Sequence, residues 1–197
     1  MIKYYQHFAK CSYFHLKDCK KNHDRTAGQR TKEVVHLKTA VIYFSLDGHT
    51  KMVAELVAQE LKADLIELKT VKEYPRKGFK KYLLCGKAAV FREKPILKTK
   101  IPNLEIYDLI FIGTPVWAGN CAPAINTLLS NYRFCGKKIG LIITNSGGSI
   151  SRCVKQISKA LNGNTLLRPI HFVNPKQEER DKIAQIIRER LREMECL

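Results

Sequence analysis

At 197 residues, 45% apolar and 27% charged, the chain has a globular composition and the length for one core of about 150 residues plus an appendage. No apolar run approaches the roughly 20 residues that span a bilayer, and the polar N-terminus carries no leader-like stretch, so a cytoplasmic protein without a transmembrane segment is expected. The formal charge of +17 suits an anionic partner or solubility alone, but no zinc-finger spacing, basic heptad region or RNP-like motif accompanies it, and nucleic acid is not expected.

Residues 1–38 read as a basic N-terminal extension, with nine Lys/Arg against three acids. Tyr4, Tyr5, Phe8, Tyr13, Phe14 and Leu16 suit an amphipathic helix that packs on the domain or on a second subunit, which allows a homodimer. Residues 24–32 then read as a linker. Cys11, His15, Cys19 and His23 recur every four residues. On a helix they would spread over about 18 Å and drift about 120° around the axis, too far for one tetrahedral ion, so no metal site is expected. The seven cysteines form no CxxC pair and read as free thiols.

From residue 39 onward strands and helices alternate. AVIYF (40–44) is a β-branched and aromatic strand. Residues 51–61 then place Met52, Val53, Leu56, Val57 and Leu61 on one helical face. ADLIEL (63–68) is a second strand, and residues 79–91 a helix in a basic stretch: residues 69–100 carry eleven Lys/Arg against two acids. DLIFIG (108–113) has the continuous apolar run of a strand covered on both faces. A helix over 123–132, the strand KIGLIIT (138–144), a helix over 150–161, a strand over 165–173 and a charged helix after Pro175 complete the pattern. Five strands separated by helices predict an α/β fold with a doubly wound, five-stranded parallel sheet. Right-handed crossovers bring every strand's C-terminal end to one edge.

Three turns at that edge carry the unusual residues. The first, Ser45–Thr50, combines two hydroxyls, Gly48 and the start of a helix, which suits a terminal monophosphate. It is neither a Walker A loop nor GxGxxG. The second, Thr114–Asn120, holds Trp117, the chain's one tryptophan, whose indole offers a flat surface to another ring. The third, Thr144–Ser149, leaves backbone donors and acceptors free for a heterocycle edge.

Residues 40–61 resemble the phosphate-loop region of the flavodoxin family. YDLIFIGTPVWAGNCAP (107–123) resembles its first flavin-flanking loop and ITNSGGS (143–149) its second. The resemblance covers about residues 39–195 and implies the flavodoxin-like strand order 2-1-3-4-5, in the short-chain form whose fifth strand lacks a long insertion. It implies that 39–197 is an FMN-binding domain. Ser45, Leu46, Asp47, Gly48, His49 and Thr50 would hold the FMN phosphate. Thr114, Pro115, Val116, Trp117, Ala118 and Gly119 would line the isoalloxazine, and Asn145, Ser146, Gly147 and Gly148 would meet its pyrimidine edge.

Asp47 departs from the family pattern, because a carboxylate beside a phosphate is repulsive unless it turns away. The third loop has no aromatic residue, which leaves the far flavin face open to a substrate. No side chain is nominated as a catalytic acid or base. The resemblance implies electron transfer, as a carrier or as a small reductase of a quinone-like acceptor, with an acidic redox partner protein or a small molecule as the other party. The alternative is a flavin-free module of the same fold that binds an anionic partner through its basic surface.

Overall fold

A computed structural model describes residues 37–197. The expected N-terminal helix, the linker and the Cys/His quartet lie outside the described residues. The elements run β1 (Thr39–Tyr43), α1 (His49–Leu61), β2 (Asp64–Glu67), α2 (Phe79–Val90), β3 (Leu109–Trp117), β4 (Asn120–Cys121), α3 (Pro123–Asn131), β5 (Lys138–Asn145), α4 (Ser151–Ala160), β6 (Thr165–Leu166), β7 (Ile170–Val173) and α5 (Arg180–Glu193). The sheet order is β2-β1-β3-β5-β6, with β7 also on β5 and β4 on β3. All pairings are parallel except β3–β4. This is the expected doubly wound order, because β6 and β7 together form the fifth strand.

That fifth strand is split. The Leu167 N–H still reaches Ile139 O (2.8 Å), but Pro169 has no N–H to give, and regular pairing resumes at Ile170 opposite Ile142. The third strand is longer than its apolar run suggests. It continues through Pro115, opposite Thr144, and its last two residues fold back antiparallel on β4. The second turn is therefore a β-hairpin rather than a break after Gly113. Ala118 (φ 47°) and Gly119 (φ 79°) both take positive φ, as a two-residue type I′ connection requires.

Alternation along the strands divides the core between the two faces of the sheet. Ala40, Ile42, Ile110 and Ile112 pack with Ile125 and Leu128 of α3 and Cys153 and Ile157 of α4. Val41, Tyr43, Leu109 and Phe111 pack with Val53 and Val57 of α1 and Ile183 and Ile187 of α5. A Cβ built on Gly140 would lie 2.2 Å from the Phe111 ring, so the phenyl group occupies the space that a side chain there would need. Among the described cysteines, Cys85, Cys121, Cys153 and Cys196 are free, as expected. Cys135 departs from the free-thiol expectation: it is disulfide-bonded, on the exposed loop after α3. No helix among the described residues is long and apolar enough to cross a membrane.

Candidate functional site

The C-terminal ends of β1, β3 and β5 deliver the three turns to one cavity of about 570 Å³. That volume is in the range of sites that enclose a cofactor-sized ligand. Of the residues expected there, Ser45, Leu46, Asp47, His49 and Thr50 line it from the first turn. Pro115, Val116, Trp117, Ala118 and Gly119 line it from the hairpin, and Asn145, Ser146, Gly147 and Gly148 from the third turn.

Two expected residues are set back from the wall. Gly48 is the N-cap of α1 (φ 92°), and its N–H donates to Ser45 Oγ (3.1 Å). Thr114 is fully buried, where its hydroxyl accepts from the Ala122 N–H (3.0 Å) and donates to Pro115 O (2.9 Å). It pins the base of the hairpin.

The first turn leaves a helix N-terminus open at the cavity wall. Only a residue without Cβ adopts a φ of 92° cheaply, and at Gly48 it aims the start of α1 into the cavity. No side chain caps this helix and no acid stands in its first turn, so the N-terminal N–H groups and the positive end of the helix dipole remain for a ligand. Thr50 and Thr144, both buried, share a hydroxyl–hydroxyl hydrogen bond of 2.7 Å that joins the first turn to the third strand end. His49 Nδ1 lies 2.7 Å from Pro175 O, and because a carbonyl can only accept, the imidazole carries its proton there and donates.

Asp47 stays on the cavity wall, where its charge is compensated. Its Oδ2 pairs with Lys81 Nζ of α2 at 2.7 Å, beside the open helix end. α2 thereby becomes a wall of the cavity through Lys81, Tyr82, Cys85 and Gly86, a contribution the sequence reading missed. The signal was the unpaired charge of Asp47 in a turn expected to hold a phosphate, although no spacing rule connects positions 47 and 81. Tyr82 supplies an aromatic group that the third loop lacks. Burial pushes the Cys85 thiol up to about 11, so it lines the cavity as a neutral group.

Trp117 is more than a free platform at the lip. It stands edge-on to Phe44 (centroids 5.6 Å, 86°) and to Tyr74 (5.3 Å, 70°), contacts that fix the indole while it still lines the cavity. The third turn is held by Asn145, whose Nδ2 donates to the carbonyls of Gly147 and Gly148 (both 3.0 Å) and whose Oδ1 lies 3.0 Å from His171 Nε2. Asn174 N–H donates to Asn145 O (2.8 Å), and Asn174 also lines the cavity. Thr144, Ser149 and Asn174 are further wall residues absent from the expected set.

The uncapped helix end, the fixed indole and the polar third turn surround one cavity at the strand C-termini, and the flavodoxin family model matches residues 38–189. The chain belongs to the flavodoxin family. This flavodoxin is similar to a flavoprotein in complex with FMN from Lactobacillus acidophilus NCFM, at 25% identity and TM-score 0.61 over 75% of this chain and 99% of that one. The apo-form of the Lactobacillus flavoprotein is similar at 26% identity and TM-score 0.52, over 75% of this chain and 97% of the other. A candidate flavoprotein from Bacteroides eggerthii DSM 20697 shares the fold at 22% identity and TM-score 0.68, over 81% of this chain and 98% of that one. None of the curated proteins matches the chain.

Proposed function

We propose that this flavodoxin binds FMN in the cavity at the sheet edge and passes electrons to a quinone-like acceptor or to a redox partner protein. The observation that carries the reading is the uncapped N-terminus of α1 facing the same cavity as the Trp117 indole, because FMN joins one terminal phosphate to one flat ring system. The residues present fit that group. Ser45, Thr50 and the first-turn N–H groups of α1 would hold the phosphate, with Lys81 keeping Asp47 neutralised beside it. Val116, Trp117 and Ala118 would flank the rings, and Asn145 with Ser146, Gly147 and Gly148 would meet their polar edge.

When bound, FMN supplies the redox chemistry, accepting and releasing electrons. The chain's own part is to bind, orient and exclude water. Trp117, held by Phe44 and Tyr74, resists displacement, and the neutral Cys85 adds no charge to the wall. The Asn145 amide keeps the third turn in one shape through its bonds to Gly147 and Gly148. Tyr82, at the cavity rim on α2, narrows the face that the third loop leaves without an aromatic residue.

Purified protein mixed with FMN is expected to show the two visible bands of oxidised flavin after desalting and to quench FMN fluorescence on titration. A chain that stays colourless and leaves the fluorescence unchanged overturns the reading and leaves the flavin-free module. Oxidation of NADH or NADPH with a soluble quinone then separates reductase from carrier, since turnover without a partner reductase is expected only of the former.

A further inference from the structure

α2 is amphipathic the wrong way round for a helix packed on a sheet. Its buried side is small, made of Cys85, Ala88 and Ala89, while large apolar side chains point outward. Phe79, Leu83 and Val90 recur at i, i+4 and i+11, which places them on one face. Phe79 is 78%, Leu83 58% and Val90 54% exposed. Phe91 (70%), at the helix C-cap, extends the apolar surface beyond the helix end. A contiguous patch of such residues on a folded surface marks an interaction site.

The charge around the patch selects its occupant. Lys77, Lys80, Lys87, Arg92 and Lys94 are all exposed along its flanks, and the helix itself contains no acid. A second copy of the chain carries the same +17, and residues 1–38 bring nine Lys/Arg against three acids, so either would meet this face with like charge. The occupant is anionic. The face combines large apolar side chains with ammonium groups over the length of one helix. A lipid headgroup layer takes both, with ammonium groups at the phosphates and apolar side chains at the acyl boundary.

We propose that the outward face of α2 docks this protein on an anionic membrane surface. Twelve residues of helix lie along about 18 Å of that surface, with Phe79, Leu83, Val90 and Phe91 inserted and the flanking lysines at headgroup level. Docking itself does not depend on the flavin. Where the proposed function also holds, Tyr82 brings the cavity rim to the lipid, which suits an acceptor dissolved in the bilayer.

The test is co-sedimentation of the full chain with vesicles of phosphatidylcholine alone and of equal parts phosphatidylcholine and phosphatidylglycerol. Binding to the anionic vesicles only is expected, and Phe79→Ser with Leu83→Ser should weaken it by about tenfold or more while FMN uptake is unchanged. Neither residue is part of the cavity wall, and both are exposed, so the variant folds. Absence of binding to either vesicle overturns the proposal, as does binding that the double variant leaves intact. A dimer by analytical ultracentrifugation that the same variant abolishes would assign the face to a second copy instead. Retention on an immobilised acidic ferredoxin without vesicle binding would assign it to a protein. Loss of flavin binding with vesicle binding retained would sink the functional reading and leave the docking surface standing.

Discussion

Lys81 and Asp47 form an ion pair with two jobs of different size. As a surface pair, with the Asp47 side chain 37% exposed, it adds at most about 1 kcal/mol to folding. For an incoming phosphate it matters more, because Lys81→Met would leave a carboxylate in the cradle. Like charges in close contact at an effective dielectric of 20 repel by about 4 kcal/mol before screening, and a fraction of that suffices to lower FMN affinity by about tenfold. Adding Asp47→Asn to that variant should recover most of the loss, and fluorescence titration of the four proteins measures the cycle. Near-additive losses would mean that the pair does not act through the anion. Gly140 gives a residue-level test of the core: Gly140→Ala drives a methyl into the Phe111 ring, and the denaturant midpoint should report a loss of about 1–3 kcal/mol.

At the scale of elements, the β3–β4 hairpin is held in a costly shape. Ala118 sits at φ 47°, where an L-residue loses about 1–2 kcal/mol that glycine does not, against a chain-entropy penalty for glycine of about 0.5–1 kcal/mol. Ala118→Gly should therefore raise stability by up to about 1 kcal/mol, read from the urea midpoint, and a loss would mean that the Ala118 methyl packs usefully. Much of this element plan was legible in the sequence. Apolar, β-branched runs located the strands and 3.6-residue spacing the helices, and the glycines and hydroxyls marked the three turns. The hairpin was hidden because Pro115 reads as a strand breaker, yet the parallel partner at Thr144 tolerates it. α2's share in the cavity was hidden for a different reason. Its inward side chains are small and its outward ones large, so pattern reading gives no sign of which face meets the fold.

Across the whole molecule, base is the expected weakness. Burial pushes the Cys85 thiol up to about 11 and Cys121 to about 12, and raises Cys153 further in the same direction. Desolvation lifts Tyr74 and Tyr107 to about 12, Tyr107 with the help of the Asp64 carboxylate, and it raises Tyr43 as well. Each of these groups keeps its proton in the folded chain at a pH where the unfolded chain releases it. Their contribution is complete below the ordinary values of 9.0 for thiols and 10.0 for phenols and is lost as pH rises toward the folded values. The melting temperature should therefore fall as pH climbs past about 9, and a flat profile through about pH 11 would contradict the burial of these groups.

The His49–Pro175 hydrogen bond spans 126 positions of sequence, and Asn174 closes the same cavity that Ser45 opens. A chain ending before this point lacks part of the pocket wall, so a complete pocket requires the last strand. The two ends of the domain thus meet at one wall, and any group held there would bridge its first turn and its last strand.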